Sequence, residues 1–272
     1  MTLYLRDDFA KAWRGTDPFE RVESLEGEVF RELEARRTLR FEQGGCSYFA
    51  KIHRGVGWWE IIENLLRWRL PVLGAENEWR AIDRLRGLGV DTMTAVAYGK
   101  RGVNPAQQHS FIVTEDLVNT LSLEDLCRDW PQRPPPVALK RALIERVAWI
   151  SRQLHENGIN HRDYYICHFL LDISAGPESI DPANLRLSLI DLHRAQLRKR
   201  TPARWVEKDL AGLYFSAMEI GLTRRDLLRF IRGYCDTDLR QALSERKALW
   251  SRLQRKADKL MARIKRKGDQ IQ

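Results

Sequence analysis

Asn160-His161-Arg162-Asp163 follows directly on a long amphipathic stretch, Val137 to Asn157, that Gly158 brings to a stop. No other junction constrains the chain as much. Apolar residues recur at helical spacing along the stretch, and glycine just past a helix end is the residue that a left-handed terminus favours. The chain must then turn and carry several ionisable side chains on a short loop. A rigid helix feeding such a loop suits a carboxylate held within hydrogen-bond reach of an acceptor hydroxyl. Asp163 is the candidate, orienting that hydroxyl and accepting its proton.

Two further charged residues stand where apolar sequence makes them costly. Asp191 ends the run Ser188-Leu189-Ile190, and a carboxylate there suits a Mg²⁺ ion held on nucleotide phosphates. Lys51 sits inside Tyr48-Phe49-Ala50-Lys51-Ile52, where an ammonium needs a partner. It is placed to contact the α- and β-phosphates, with Glu78 as its carboxylate and Glu76 as the alternative. Taken singly, these features have plainer readings: a solvated turn, a helix cap, a lysine on the open face of an edge strand. Taken in order, lysine, glutamate, hinge, His-Arg-Asp and strand-end aspartate are the parts of a kinase. Thr114-Glu115-Asp116-Leu117 reads as the hinge, with Glu115 and Leu117 as nucleotide contacts.

The elements around these residues agree. Arg37 to Glu42 and Ser47 to His53 alternate on either side of Gln43-Gly44-Gly45-Cys46, a hairpin pattern. Trp58 to Leu66 and Glu76 to Leu88 carry helical stripes, and Pro71 and Gly74 end the first. Met93 to Tyr98 and Ser110 to Thr114 read as strands. After the hinge the pattern is mainly helical, apart from short strands at His168 to Ile173 and Leu185 to Asp191. The expected class is α+β: a bilobal, protein-kinase-like fold with a small β-rich N-lobe over residues 1–115 and a mainly helical C-lobe over 116–272.

Charge bounds the partners. The 272 residues carry 46 Lys and Arg against 37 Asp and Glu, a net +9, which favours anionic partners. No zinc-finger, RNA-recognition or basic-zipper pattern is present, so nucleic acid is not expected among them. The four cysteines form no C-x-x-C pair and fit a reducing compartment. The start, with Asp7 and Asp8, lacks the apolar run of a signal peptide, and the greasy segment 57–74 is broken by charges and Pro71. The expected location is cytoplasmic, with peripheral contact at the cytoplasmic face of an anionic inner membrane as an added reading.

Several stretches together resemble the lipopolysaccharide core heptose(I) kinases, relatives of the octulosonic acid kinases, over essentially the whole chain. They are Lys51-Ile52-His53-Arg54-Gly55, Leu70-Pro71-Val72-Leu73-Gly74-Ala75, Thr92 to Gly99, Asn160 to Leu171, and Ile190-Asp191-Leu192-His193-Arg194-Ala195. The resemblance implies a phosphotransferase with ATP as donor, Mg²⁺ as cofactor and the 4-hydroxyl of heptose I of the inner core as acceptor. It also carries the catalytic-base role onto Asp163.

Departures from the protein-kinase pattern bear on mechanism. No G-x-G-x-x-G precedes Lys51, and Gly27 stands alone in the region of a phosphate-covering loop. His168 occupies the place of a second metal ligand, although Mg²⁺ prefers oxygen, so a phosphate contact is its other reading. Arg194, Arg198, Lys199, Arg200 and Arg204 crowd the stretch from Leu192 to Val206, where no acidic residue stands. With Arg162 they are the candidate contacts for a glycolipid acceptor rich in carboxylates and phosphates. From Glu245 to Gln272 there are ten Lys and Arg against three Asp and Glu, with an apolar stripe at Leu249, Leu253, Leu260 and Ile264. It reads as a helix packed on the large lobe, with anionic lipid as the alternative. The apolar stripe of Trp58, Trp59, Ile61, Ile62, Leu65, Leu66 and Trp68 reads as core, and a site for an acyl chain or an acidic acyl-bearing carrier protein is its minority reading. The competing functions are a kinase of a neighbouring core sugar (octulosonic acid or the second heptose) and a weakly active kinase-fold binding module.

Overall fold

The structure is a computed structural model that describes residues 1–55, 57–66 and 74–268. Its chain divides into two units. The first comprises Met1–Arg86, Met93–Val118 and Asp191–Arg194; the second comprises Gly87–Thr92, Asn119–Ile190 and Ala195–Gln272.

The first unit is built on an antiparallel sheet. Its elements in chain order are β1 (Thr2–Leu5), α1 (Asp7–Ala12), α2 (Pro18–Glu23), β2 (Glu28–Leu33), β3 (Arg36–Gln43), β4 (Cys46–His53), α3 (Gly57–Leu66), α4 (Glu76–Gly87), β5 (Ala95–Arg101) and β6 (His109–Glu115). The strand order is β1-β5-β6-β4-β3-β2. The expected Gly-Gly hairpin forms: Gly44 and Gly45 have φ of 61° and 79°, the left-handed pair that a two-residue turn between twisted strands requires. β4 is central, between β3 and β6, so Lys51 is not on an edge strand. Phe9 of α1, Trp13 just past its end and Phe19 of α2 pack on Phe41, Tyr48 and Phe111 of the sheet, and Phe9 meets Tyr48 edge-on at 5.0 Å. Those helices, and β1, escape the sequence reading because each is under two turns or four residues long.

Two expectations change here. Gly27 does not lie in a phosphate-covering turn: the turn that joins β2 to β3 is Glu34-Ala35. Gly27 precedes β2, and a Cβ on it would stand 2.0 Å from the Arg40 carbonyl, so close approach of β3 explains the glycine. Nor is the α3 stripe core throughout, since Trp58, Trp59, Ile62 and Leu66 are exposed. Trp68, Pro71 and the Leu70 to Leu73 stretch lie outside the described residues.

The second unit is mainly helical. It holds β7 (Thr120–Ser122), α5 (Leu123–Cys127), α6 (Val137–Glu156), β8 (Ile159–Asn160), β9 (Phe169–Asp172), β10 (Leu187–Leu189), β11 (Gln196–Leu197), α7 (Ala203–Ser216), α8 (Arg224–Cys235), α9 (Leu239–Glu245) and α10 (Lys247–Gly268). Strand β9 lies between β10 and β7, and β8 pairs with β11. Gly158 does end α6, with φ of 77°, and a Cβ there would collide with the Arg198 carbonyl at 1.8 Å. The predicted strand to Asp191 stops at Leu189, and Asp191 itself is left-handed at φ 61°. Helix α10 packs its first half on α7 through Leu253 and Ala257, while Leu260 and Ile264 are exposed. Among the described residues no helix is long and apolar enough to cross a membrane.

Candidate active site

The sheet unit gathers a lysine, two carboxylates and two histidines. Lys51 lies on the central strand, and its ammonium donates to Glu78 on α4 at 2.7 Å. Glu78 is 1% exposed, and among the described residues its carboxylate is in no other ion pair, so the structure pairs Lys51 with Glu78. Glu76, the alternative, instead takes Lys100 and Arg80. Burial alone would lower the lysine; the Glu78 charge and hydrogen bond, with a further contribution from Asp191, hold it above the ordinary value. Asp191 therefore sits close enough to act on Lys51 through its charge. Its carboxylate accepts from His193 Nδ1 at 2.5 Å. His53, two residues along β4 from Lys51, is buried, and burial followed by the Arg36, Lys51 and His193 charges pushes it down to about 3.

At the end of β6, Glu115 is bound by the Arg6 guanidinium, which also reaches Asp8. The Asp116 amide donates to the Ser47 carbonyl at 3.0 Å, and Ser47 Oγ donates back to Asp116 Oδ2 at 2.8 Å. The segment that carries Glu115 and Leu117 is thus tied to β4. Arg6 as its clamp escapes the sequence reading, because nothing in the first residues signals a partner 109 positions away.

In the helical unit, Asp163 stands half-buried on the loop that follows β8. That loop is held from beneath. Asp209, fully buried on α7, accepts the His161 amide at 2.6 Å and the Arg162 amide at 2.9 Å. Two charge-assisted bonds to successive amides fix the backbone where Arg162 adopts a left-handed φ of 78°. His161 Nε2 donates to the Ile190 carbonyl at 2.8 Å, so the loop also grips the residue before Asp191. His168 Nδ1 donates to the Asp163 carbonyl at 2.7 Å, and its ring stacks on His161 at 5.6 Å. His168 braces the loop through Nδ1, which fixes the ring's orientation. Asp209 is the support of the candidate site that the sequence reading passes over; its signal is a carboxylate inside the apolar helical run Asp209-Leu210-Ala211-Gly212-Leu213.

The basic candidates divide. Arg162, Arg198 and Arg204 gather around Trp205 in the helical unit. Lys199 and Arg200 are exposed, and Arg194 groups with the sheet unit. Among the described residues no three His, Cys, Asp or Glu side chains cluster as a metal cage. Asp191 still fits Mg²⁺, which is commonly held by one or two carboxylates together with substrate phosphates.

A paired lysine on a central strand, a left-handed aspartate after a short strand and a braced His-Arg-Asp loop define a kinase-like phosphotransferase. The chain matches the Lipopolysaccharide kinase (Kdo/WaaP) family over residues 20–234. It is 58% identical over 269 residues to lipopolysaccharide core heptose(I) kinase WaaP of Pseudomonas aeruginosa, covering 99% of each chain. To the protein of that name in Escherichia coli it is 57% identical over 264 residues, covering 97% of this chain and 98% of the other. A solved structure of WaaP in complex with acyl carrier protein is 53% identical and superposes with a TM-score of 0.84, covering 96% of this chain and 99% of that one. The chain belongs to the Kdo/WaaP lipopolysaccharide kinase family and has its mixed α/β, kinase-like fold.

Proposed function

We propose that this chain phosphorylates heptose I of the lipopolysaccharide inner core, taking the γ-phosphoryl group from ATP, with the 4-hydroxyl as acceptor. The observation that carries the reading is identity above half, over nearly the full chain, to kinases of that name. In this reading Lys51, oriented by Glu78, neutralises the nucleotide phosphates, and the Glu115 to Leu117 segment lies along the adenine. Asp163 orients the acceptor hydroxyl and takes its proton as the oxygen bonds to the γ-phosphorus and ADP departs. Asp191 is the side chain that would hold Mg²⁺. The ion would supply positive charge to the phosphate oxygens. His168 keeps the loop in place through Nδ1, and its Nε2 is the atom that would serve as a second metal ligand or touch a phosphate. Arg162, Arg194, Arg198, Lys199, Arg200 and Arg204 are the candidate contacts to the anionic acceptor. The test is turnover of ATP on intact core oligosaccharide, followed by mapping the phosphorylated carbon. Phosphate on octulosonic acid or the second heptose would move the acceptor assignment; no transfer to any core sugar would leave a binding module.

A second reading concerns a partner, and an apolar cavity of about 200 Å³ in the helical unit favours it. Leu143, Val147, Leu210, Leu213, Phe230 and Leu253 are among its lining residues. The solved relative is WaaP bound to acyl carrier protein. A carrier whose acyl chain enters this cavity would bury apolar surface that otherwise faces water, at roughly 25 cal/mol per Å². In this reading the acyl chain enters the cavity of the helical unit, and the exposed α3 tryptophans are the alternative site. Acylated carrier should raise the melting temperature, while the unacylated carrier should not. A location on the cytoplasmic face of the membrane follows from the acceptor in this reading, with the exposed basic face of α10 as the element that would touch anionic lipid.

A further inference from the structure

The face of the sheet that carries Lys51 has an order along it. Directly opposed residues of an antiparallel pair point to the same side, and alternate residues of a strand share that side. The register sets Phe49 against Arg40 and Thr114, Lys51 against Thr38 and Ile112, and His53 against Arg36 and Ser110. The other side is the core, where Leu39, Phe41, Ala50 and Ile52 are buried. At one end of β4, Tyr48 pairs with Glu115 and Ser47 holds Asp116, the segment assigned to the base. Lys51 follows three residues after Tyr48. Arg36 lies toward the far end, diagonal to Lys51 and about 7–8 Å from it by strand geometry. A nucleotide laid along this face meets Lys51 at its inner phosphates and then runs out toward Arg36.

The turn before Arg36 is too short to wrap the last phosphate. Leu33 pairs with Arg36, so Glu34-Ala35 is a two-residue turn without glycine. The Ala35 carbonyl accepts the Arg54 amide at 2.9 Å, which ties the turn to the end of β4. It brings a carboxylate to this end of the face and no run of open amides. The positive charge that a terminal phosphate calls for then has to come from a side chain. Arg37 is on the opposite side, where it binds Glu32 and the Glu23 carbonyl. Arg36 is on the face of Lys51. His53, directly across from Arg36, reports the local field. It is buried, and its Nδ1 has no hydrogen-bond partner among the described residues. Burial first, and then the Arg36, Lys51 and His193 charges, push it down to about 3. Those three charges have one sign, so Arg36 and Lys51 make the same end of the face electropositive.

We infer that Arg36 binds the terminal phosphate of ATP, beyond the inner phosphates that Lys51 contacts. The inference rests on the reading of the chain as an ATP-dependent kinase and adds a residue to it. A guanidinium offers two parallel N–H groups to phosphate oxygens, so one side chain supplies at the terminal phosphate what the backbone of a glycine-rich loop supplies in kinases that have one. The missing G-x-G-x-x-G thus has a substitute immediately after the turn. Arg36 and Arg37 are adjacent, and composition does not tell them apart. Only the register shows which of the two shares a face with Lys51.

The experiment is calorimetry on the full chain with ATP and with ADP, in the absence of acceptor. The two nucleotides differ by the group in question. Arg36→Gln should weaken ATP about tenfold, as expected for one lost charge-assisted bond, and leave ADP nearly unchanged. Arg36→Lys keeps the charge without the planar fork and should recover part of the ATP affinity. Lys51→Met should weaken both nucleotides together. The ratio of ATP to ADP affinity is a readout that a purely structural role does not move. An unfolded fraction lowers the binding stoichiometry, and a distorted site weakens both ligands. Equal weakening of ATP and ADP by Arg36→Gln, or no weakening of either, overturns the role of Arg36. ATP binding that still depends on Lys51 would in that case keep the kinase reading. A wild-type protein that binds neither nucleotide would unseat both.

Discussion

Lys51 and Glu78 meet at 2.7 Å, with the carboxylate side chain 1% exposed and the ammonium side chain 23% exposed. A buried carboxylate paired with a partly open lysine is an asymmetric arrangement: the glutamate depends on the lysine more than the reverse. Lys51→Met strands a buried charge, and breaking such a pair from one side costs about 3–5 kcal/mol. Glu78→Gln leaves a neutral amide in the same place and lets Lys51 swing. Lys51→Met should therefore lower both stability and ATP affinity, whereas Glu78→Gln should lower chiefly ATP affinity. The double variant should be less affected than the sum of the two, because both changes break one interaction. Urea denaturation beside nucleotide titration measures each part. Strictly additive losses would show that the pair does not act as a unit.

Asp209 makes a different prediction, since it is fully buried beneath the loop and acts through the loop's amides. Asp209→Ala leaves the His161 and Arg162 amides buried without an acceptor, and each orphaned donor costs about 1–3 kcal/mol. The protein should lose about 2–6 kcal/mol of stability by this count. Asp209→Asn keeps one acceptor oxygen and should recover part of it. Turnover should fall further than stability explains, because Arg162 loses the support for its left-handed backbone and Asp163 moves with it. The discriminating readout is kcat at a temperature where the variant is fully folded. A folded Asp209→Ala protein with wild-type kcat would show that the loop holds its shape unaided.

The parts of this site differ in how far the sequence reveals them. Lys51, Asp163 and Asp191 are legible because each is a charge in or beside an apolar run, and their order along the chain carries information that no single residue does. The Gly44-Gly45 turn and the Gly158 stop are legible because only glycine adopts those backbone angles cheaply. Gly27 misleads for a related reason: a glycine marks either a special backbone angle or a close approach, and sequence does not say which. Here the neighbour is the Arg40 carbonyl. Asp209 and Arg6 are illegible because their partners are far along the chain and nothing local demands them. The exposed α3 tryptophans show the limit of periodicity, which finds an apolar face but does not say whether the protein covers it.

His53 gives the fold a pH dependence of known sign. It is buried and neutral in the folded state, held down to about 3 by burial and by the Arg36, Lys51 and His193 charges. In the unfolded chain it takes up its proton near the ordinary value of about 6.5. A depressed histidine contributes stability that is complete above pH ~6.5 and is lost progressively as pH falls toward the folded value. The slope for one proton is about 1.4 kcal/mol per pH unit. Urea denaturation at pH ~7, ~6 and ~5 should show the wild type losing stability faster than His53→Asn by up to that slope. Parallel curves for the two proteins would mean that His53 is protonated, or accessible, in the folded state.

Asp163 and Asp191 should fail in separable ways, although both are carboxylates on short turns. In the proposed mechanism Asp163→Ala removes the group that orients the acceptor hydroxyl and leaves Lys51, Glu78 and Asp191 untouched. Turnover should fall about 10²–10⁴-fold, the usual range for a general base, with ATP affinity unchanged in the presence of Mg²⁺. Asp191→Asn keeps the size of the side chain and its bond to His193, but halves the charge near Lys51, which it shares with Glu78. ATP affinity should then fall, and its dependence on Mg²⁺ concentration should flatten. Nucleotide titrations at low and saturating Mg²⁺, with and without acceptor, distinguish the two variants. If Asp191→Asn retains the full Mg²⁺ dependence of the wild type, the metal is held without Asp191. If Asp163→Ala weakens ATP as much as it slows transfer, its carboxylate serves the nucleotide and the acceptor hydroxyl must find its base elsewhere.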